Sequence, residues 1–336
     1  MKAMQVKSPG GAFELVNIEK PEPGPGEVRL KVHACGICHS DAFVKEGQYP
    51  GIEYPRIPGH EVVGIIDETG EGGEKWDKGQ RVGVGWHGGH CFNCAPCREG
   101  DFILCERAKI AGISYDGGYA EYMVAPQEAI AFIPEELKAV DAAPLLCAGI
   151  TTYNALRNTD AKAGDLVAVQ GIGGLGHLGL QYAQQMGFET VAISRGTDKK
   201  ELSENLGADH YIDAKAQDVA EALQELGGAK AILATAPSSA AIESVIGGLG
   251  TNGQLLIVAA TPDTFSVSPF ALIGKRASIK GWPSGTAKDS EATLNFSALG
   301  DIRPKTETYP LEQANEAYER MIKNEARFRV VLTVEG

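Results

Sequence analysis

The chain has 336 residues, which is longer than a usual single domain, so we expect two domains. Its net charge is −13 and it contains no run of basic residues, which argues against a nucleic-acid partner. The apolar stretches are short and interrupted by glycine and charged residues, and the first residues lack the apolar segment of a signal peptide. We therefore expect a cytoplasmic protein without a membrane partner.

The first third of the chain has the pattern of β-strands. Apolar and polar residues alternate there, and glycine and proline separate the segments. Strands are predicted at 28–33, 61–66 and 81–85.

From about residue 151 the pattern changes to alternating strands and helices. Strands are predicted at 166–171, 190–194, 210–213, 231–234, 254–259 and 277–281. Helices are predicted at 178–186, 218–226 and 240–249. Six strands with intervening helices predict a doubly wound parallel sheet of the α/β class. Further on, helices at 290–299 and 311–323 and a strand at 329–334 are predicted.

A glycine-rich turn joins the first strand of this sheet to its helix. It consists of Gly171, Ile172, Gly173, Gly174, Leu175 and Gly176. The spacing G-x-G-x-x-G between a strand and a helix is typical of dinucleotide binding: the glycines allow a tight turn, close approach of a pyrophosphate and close packing of the helix. The start of the helix adds partial positive charge. An ordinary glycine-rich turn is the alternative, but the flanking elements favour cofactor binding.

Four of the seven cysteines lie within 15 positions. They are Cys91, Cys94, Cys97 and Cys105. Two overlapping C-x-x-C steps and a fourth cysteine favour a closed tetrahedral zinc site, which is structural because all four positions are filled. A redox pair or an iron–sulfur cluster is the alternative. A disulfide framework is not expected in a chain without an export signal.

The residues after the second strand of the sheet bear on the choice of cofactor. NAD-binding sites place an acidic residue about 20 residues beyond the glycine turn, where it binds the ribose 2′-OH. Here Ser194 stands at that place, Arg195 follows it, and Lys199 is nearby. Serine and arginine can bind a 2′-phosphate that a carboxylate would repel, so we expect NADP(H). The alternative is NAD(H), with Asp198 serving the ribose.

Six motifs run nearly from end to end of the chain. They are C-G-I-C-H-S-D at 35–41, P-G-H-E at 58–61, the four-cysteine cluster, D-G-G-Y-A-E-Y at 116–122, C-A-G-I-T-T-Y at 147–153 and G-I-G-G-L-G at 171–176. With these motifs the chain resembles the zinc-dependent alcohol dehydrogenases of the medium-chain dehydrogenase/reductase superfamily. The resemblance implies a mostly β, GroES-like catalytic domain at 1–148 and 285–336, which carries the Cys₄ zinc lobe. It also implies a dinucleotide-binding Rossmann domain at 149–284 and a homodimer or homotetramer.

The resemblance further implies a catalytic zinc bound by Cys38, His60 and Cys147. Three protein ligands leave a fourth position for water or an alcohol oxygen, whose pKa zinc lowers. Asp41 would orient His60, and Glu61 would approach the metal when water is exchanged. For both carboxylates the alternative is a solvated position in a loop.

Proton transfer and cofactor contacts follow from the same resemblance. Ser40 matches the hydroxyl that takes the proton of the alcohol. Many relatives have a histidine three residues later, but this chain has Phe43, which leaves the outer part of the relay open. His39 and Arg329 would contact the pyrophosphate, and Thr151 would pack near the nicotinamide. A surface charge is the alternative for Arg329, and an ordinary helix start is the alternative for Thr151.

Together these observations predict an enzyme with two zinc ions per chain that transfers hydride between a nicotinamide cofactor and a primary alcohol or its aldehyde, aliphatic or aromatic. The alternative is a non-catalytic zinc- and nucleotide-binding scaffold or sensor. A zinc-free quinone or enoyl reductase is disfavoured because the three expected zinc ligands are present. Four aromatic residues are candidates to line a substrate pocket, with core packing as the alternative for each: Tyr49, Tyr54, Trp86 and Tyr119.

Overall fold

The computed structural model describes residues 1–73 and 75–334, and the chain divides into two compact units. The first unit consists of Met1–Ile150 together with the residues from Gly285 onward, and the second consists of Thr151–Ser284. Among the described residues, every helix is too short or too polar to cross a bilayer.

Strands dominate the first 150 residues, as their alternating pattern predicts. The strands are β1 (Lys2–Val6), β2 (Phe13–Asn17), β3 (Glu27–Ile37), β4 (Val62–Thr69), β5 (Arg81–Val84), β6 (His87–Gly89), β7 (Lys109–Ile110), β8 (Tyr122–Pro126) and β9 (Ile130–Phe132). The helices are α1 (Asp41–Lys45), α2 (Ala95–Arg98), α3 (Ala139–Pro144) and α4 (Ile150–Arg157), with a π-helical turn at Leu145–Gly149. The three strands predicted in this region correspond to β3, β4 and β5.

The second unit alternates strands with helices. Its strands are β10 (Leu166–Gln170), β11 (Glu189–Ser194), β12 (His210–Asp213), β13 (Ala229–Ala234), β14 (Leu249–Ile257) and β15 (Ser278–Gly281). Its helices after α4 are α5 (Gly176–Gln185), α6 (Lys200–Asn205), α7 (Val219–Glu225), α8 (Ser239–Ile246) and α9 (Pro269–Ile273). All neighbouring strands are parallel, in the order β12-β11-β10-β13-β14-β15. The predicted six-stranded, doubly wound parallel sheet is therefore confirmed.

At one junction of the second unit, the boundaries of a helix and of the strand after it differ from the prediction. The helix predicted at 240–249 ends at Ile246, because Gly247 and Gly248 follow it and glycine ends helices. The next strand, β14, starts at Leu249 rather than at 254. A register irregularity between Ala229 and Ala231 accommodates the glycine-rich start of β14.

The C-terminal segment returns to the first unit with α10 (Ala287–Leu299), β16 (Thr306–Pro310), α11 (Ala314–Ile322) and β17 (Arg329–Thr333). Helix α10 begins three residues before the predicted start, because Thr286 and Asp289 cap it reciprocally. Strand β16 was not predicted, and it pairs in parallel with β17.

The main sheet of the first unit brings strand ends from distant parts of the chain close together. Its order is β16-β17-β3-β4-β5-β9, and β8 also pairs with β3. Strand β3 is antiparallel to both β4 and β17, with Cys35 opposite Val62 and Ile37 opposite Val330. The end of β3 and the beginnings of β4 and β17 therefore meet. The residues next to these strand ends build the site described below.

Candidate metal centres and dinucleotide turn

Four potential ligands from three parts of the chain form a group within the first unit. Ligand atoms of Cys38, His60, Glu61 and Cys147 all lie within 4.8 Å of one another. Cys38 follows β3, and His60 and Glu61 precede β4. Cys147 lies in the π-helical turn Leu145–Gly149, a kind of turn that often occurs at functional sites. We call these four residues the buried metal group.

The geometry of the buried metal group fits a zinc ion. The Sγ atoms of Cys38 and Cys147 are 3.8 Å apart, which is the separation of two sulfurs that each lie about 2.3 Å from one tetrahedral zinc. His60 Nε2 and Glu61 Oε2 are buried and have no hydrogen-bond partner among the described residues. Buried polar atoms normally have a partner, so two such atoms beside two thiols fit a metal position.

Asp41 holds two members of the group in place. Its Oδ1 lies 3.3 Å from His60 Nδ1, and its Oδ2 accepts the backbone N–H of Cys38 at 2.8 Å. Asp41 and His60 are each 1% exposed. A histidine whose Nδ1 faces a carboxylate presents Nε2 as its ligand atom, so this contact selects the tautomer that can bind a metal.

Glu61 is paired with Arg329 at the first residue of β17. Arg329 Nη2 donates to Glu61 Oε1 and, at 3.2 Å, to the carbonyl oxygen of Ile37. Both side chains are buried. Burial is the main reason that the pKa of Glu61 is raised to about 7, and the Arg329 guanidinium opposes this shift. Arg329 thus neutralises a buried carboxylate beside the metal group, and its contact with a pyrophosphate stays a prediction.

Both polar and apolar residues lie next to the buried metal group. Ser40 is half-buried, with its Oγ 3.8 Å from Cys38 Sγ, and His39 is exposed. The Trp86 and His60 rings meet edge to face, with centroids 5.1 Å apart. Trp86 also packs with Phe43 against an apolar cluster in the same unit.

The four-cysteine cluster forms a second, separate group in the first unit. Ligand atoms of Cys91, Cys94, Cys97 and Cys105 lie within 4.8 Å of one another. The sulfurs of Cys91 and Cys97 are 4.0 Å apart and those of Cys94 and Cys105 are 3.8 Å apart, which fits one tetrahedral zinc.

Backbone N–H groups surround the sulfurs of this cluster. Cys91 Sγ accepts from the N–H of Asn93 at 3.5 Å and of Cys94 at 3.3 Å, and Cys105 Sγ accepts from the N–H of Arg107 at 3.3 Å. The N–H groups of Asn93 and Cys94 lower the pKa of Cys91 to about 6, which favours the thiolate that binds zinc. Four sulfurs fill a tetrahedron, so the arrangement is that of a closed, structural site.

The glycine turn has the backbone geometry that a pyrophosphate requires. Gly171 has φ +91°, and a Cβ at Gly176 would lie 1.8 Å from the carbonyl oxygen of Gly171. A Cβ at Gly173 would have no atom within 4 Å, so open space lies beside that residue. Helix α5 starts at Gly176 and points its first N–H groups toward the turn. The turn can therefore bind an anionic group through its backbone.

The end of β11 places basic and hydroxyl groups near this turn. Ser194 is half-buried and Arg195 is exposed. The Lys199 ammonium donates to the carbonyl oxygen of Ile172 at 2.5 Å, which ties it to the glycine turn. Asp213, opposite Ser194 in the sheet, accepts the N–H groups of Gly196 at 2.7 Å and Lys215 at 2.9 Å. This acid is thus engaged by the backbone.

Sequence reasoning named Tyr119 as a pocket candidate but missed its contact with Asp41. Tyr119 is fully buried, and its hydroxyl donates to Asp41 Oδ2 at 2.9 Å. It lies in the core of the first unit, so the core alternative to its predicted pocket role holds. The motif D-G-G-Y-A-E-Y pointed to this segment, but 78 residues separate the two partners and nothing local in the sequence relates them.

Comparison with known protein families agrees with the description of the first unit and with that of the second unit. A family model for the alcohol dehydrogenase GroES-like domain matches residues 24–135, and one for zinc-binding dehydrogenases matches residues 174–298. Together they cover more than half of the chain.

Relatives resemble the chain over its whole length. The alcohol dehydrogenase patD of Penicillium expansum is 43% identical over 98% of this chain and 96% of its own. An alcohol dehydrogenase of Geobacillus stearothermophilus is 41% identical over 100% of both chains. The solved structure of a cobalt- and zinc-bound thermostable alcohol dehydrogenase from Pyrobaculum aerophilum is similar, with a TM-score of 0.88, 27% identity and 99% of both chains covered.

The two metal groups, the glycine turn on a six-stranded parallel sheet and these relatives lead to one assignment. The chain belongs to the zinc-dependent alcohol dehydrogenases of the medium-chain dehydrogenase/reductase superfamily.

Proposed function

We propose that this alcohol dehydrogenase uses NADP(H) and a zinc ion at the buried metal group to interconvert primary alcohols and aldehydes. The observation that carries the proposal is the convergence of Cys38, Cys147 and the unpartnered Nε2 of His60 within 4.8 Å. A zinc ion held by these residues would act as a Lewis acid that polarises the oxygen of the substrate. A second zinc held by the four-cysteine cluster would stabilise the fold.

The chain's own residues supply charge balance and orientation. The thiolates of Cys38 and Cys147 balance the charge of a divalent ion, so the site as a whole stays close to neutral when buried. Asp41 fixes the ring of His60, and Arg329 neutralises Glu61. These contacts prepare the site before substrate arrives, and such preorganisation is a main source of catalytic rate.

Proton transfer is assigned to Ser40. Its hydroxyl is half-buried and lies 3.8 Å from Cys38 Sγ, at the border of the metal group. It accepts the proton of the substrate hydroxyl and passes its own proton to solvent. Phe43 has no ionisable group and takes no part in this transfer.

The cofactor preference rests on the end of β11. Ser194 can donate a hydrogen bond to a 2′-phosphate, and the exposed Arg195 can pair with it. Lys199 adds positive charge at the glycine turn, where its ammonium binds Ile172. Opposite Ser194 in the sheet register lies Asp213, an acid that two backbone N–H groups already engage.

An apolar substrate group suits the surroundings of the metal group. Trp86 packs edge-on against His60 and joins an apolar cluster with Phe43 and Tyr54. Such a border favours primary alcohols with an aliphatic or aromatic chain over polyols, because burying a hydroxyl without a partner costs free energy.

The oligomeric state is part of the proposal. Phe270 is 88% exposed and Ile273 is 75% exposed, and both lie on α9 of the second unit. Large apolar side chains this exposed are typical of interfaces, which supports a homodimer or homotetramer. Light scattering of the purified protein measures this directly.

A substrate panel with both cofactors tests the function. We expect turnover of primary alcohols and aldehydes, with kcat/KM at least about tenfold higher with NADP(H) than with NAD(H), since two charge-assisted contacts favour the phosphate. A preference for NAD(H) would refute the cofactor assignment. Binding of cofactor and zinc without turnover of any alcohol or aldehyde would favour the non-catalytic scaffold.

A further inference from the structure

One carboxylate connects a core tyrosine with two residues of the buried metal group. Tyr119 Oη donates to Asp41 Oδ2 at 2.9 Å, and the same oxygen accepts the N–H of Cys38 at 2.8 Å. The other oxygen, Oδ1, lies 3.3 Å from His60 Nδ1. Tyr119 is 0% exposed, so water does not compete for its hydroxyl.

We propose that Tyr119 is a positioning residue of the metal centre: it fixes the rotation of the Asp41 carboxylate, which in turn fixes the ring orientation and tautomer of His60. The inference rests on the proposed function, because it takes Cys38, His60 and Cys147 as the zinc ligands. Tyr119 itself contacts neither the substrate nor a ligand side chain in this role.

The argument starts from the freedom of the carboxylate. The last torsion of aspartate is broad, so one backbone donor on Oδ2 leaves the carboxylate able to turn. A second donor on the same oxygen, the Tyr119 hydroxyl, restricts that freedom. With Oδ2 occupied by Cys38 and Tyr119, Oδ1 is left to accept the Nδ1–H of His60. Asp41 then favours the tautomer with a free lone pair on Nε2.

The position of the tyrosine ring is itself determined by packing. Phe13 meets Tyr119 edge to face, with ring centroids 5.7 Å apart, and Phe13 packs in the same way on Tyr318 at 5.3 Å. Gly59 also lies close to the ring: it has φ +106°, and a Cβ there would lie 2.6 Å from Tyr119 Cδ1. Gly59 directly precedes His60, so the ring and the histidine backbone are in contact through one residue.

Tyr115, in the same unit, is a tyrosine whose hydroxyl makes a purely structural hydrogen bond. Its hydroxyl donates to the backbone carbonyl of Gly88 at 3.0 Å, which satisfies the phenol without touching a side chain of the metal group. Tyr119 satisfies its hydroxyl on a carboxylate that faces a ligand. Loss of either hydroxyl removes one hydrogen bond from the first unit, but only loss of the Tyr119 hydroxyl changes Asp41.

The test compares Tyr119→Phe with Tyr115→Phe in the full-length protein carrying both zinc ions. The first readout is the rate at which each zinc is released to a chromogenic chelator. We expect Tyr119→Phe to release one zinc about tenfold faster, because loss of outer partners of a ligand weakens metal binding by about 10- to 100-fold. The zinc of the four-cysteine cluster is the internal control and keeps its rate. Tyr115→Phe releases both as the parent does.

The second readout is the visible absorption spectrum after cobalt replaces the zinc at the buried metal group. A rotated His60 ring changes the ligand field, so the bands of Tyr119→Phe shift and those of Tyr115→Phe do not. In an Asp41→Asn background, Tyr119→Phe should add less than about twofold to zinc release, because its effect passes through the carboxylate.

Two results would overturn the inference. One is a Tyr119→Phe variant with the zinc release rates and cobalt spectrum of the parent. The other is an effect of Tyr119→Phe that is equally large in the Asp41→Asn background. A failure of the zinc assignment itself looks different: in that case Cys38→Ser would still bind two zinc ions.

Discussion

The hydroxyl of Ser40 lies beside Cys38, one of the proposed zinc ligands. Its Oγ lies 3.8 Å from Cys38 Sγ. Three residues further on, Phe43 packs against Tyr49 with ring centroids 6.2 Å apart and offers no group that carries a proton. In the proposed reaction, Ser40 therefore carries the only side-chain step of proton transfer before solvent.

Replacing Ser40 by alanine tests this role. We expect Ser40→Ala to lower kcat by about 100-fold, the usual contribution of one positioned proton carrier. The matched control is Ser40→Thr, which keeps a hydroxyl and should stay within a few-fold of the parent. Equal kcat values for the serine and alanine proteins would place the proton path elsewhere.

Single residues also show how far sequence reasoning reaches. The thiols and the imidazole of the buried metal group could be named because their motifs, such as C-G-I-C-H-S-D, resemble those of the zinc-dependent alcohol dehydrogenases. His60 was expected beside Asp41, but the other partners of the two carboxylates, Arg329 and Tyr119, could not be named. Arg329 is 268 residues from Glu61, and Tyr119 is 78 residues from Asp41. These contacts depend on which strands pair, and no local pattern in the sequence records strand pairing.

At the scale of secondary-structure elements, the four-cysteine lobe contains little regular secondary structure. Between β6 and β7 it contains only the four-residue helix α2 and the short 3₁₀ turn Phe102–Leu104. Its sulfurs accept backbone N–H groups and lie within 4.8 Å of one another. We therefore expect metal binding to contribute most of the stability of this segment.

Removal of one sulfur from this lobe should cost stability. We expect Cys94→Ser to bind one zinc per chain instead of two and to lower Tm by at least about 5 °C, because a closed zinc site contributes folding free energy directly. The control is Cys35→Ala, which changes a fully buried cysteine outside both metal groups and should keep two zinc ions. An unchanged zinc content in Cys94→Ser would show that the lobe is not a metal site.

The end of β11 is the element that decides between the two cofactors in the proposal. We expect Ser194→Asp combined with Arg195→Ile to shift the ratio of kcat/KM toward NAD(H) by at least about tenfold, because the added carboxylate repels the 2′-phosphate and the arginine no longer pairs with it. Steady-state kinetics with both cofactors measures the ratio.

Asp198→Asn is the control for the cofactor exchange. It should leave the ratio unchanged if Ser194 and Arg195 set the preference. A selective loss of NAD(H) use in Asp198→Asn, with no effect of the double substitution, would favour the alternative in which Asp198 binds the ribose.

Element prediction succeeded where the local pattern was strong. The fully buried run of β10 and the glycine turn after it predicted the parallel sheet. Short strands such as β16 escaped prediction, since Thr306–Pro310 has no clear alternation and owes its conformation to pairing with β17. The same holds for β1 and β2, which pair only with each other in their sheet.

At the scale of the whole molecule, the groups used in the proposed reaction divide between the two compact units. The first unit contains both metal groups, and the second contains the glycine turn and the end of β11. The two functions can therefore be changed separately. A substitution in the metal group should affect turnover and zinc content while leaving cofactor affinity nearly intact.

The most direct test of the central claim measures zinc content, turnover and NADPH affinity in Cys38→Ser. Cys35→Ala, from the same strand region, is measured beside it. The account predicts that Cys38→Ser binds one zinc per chain, loses kcat by at least about 1,000-fold because metal polarisation of the substrate is worth several kcal/mol, and binds NADPH within a few-fold of the parent. Cys35→Ala should keep both zinc ions. Two zinc ions in Cys38→Ser, or turnover within a few-fold of the parent, would contradict the account.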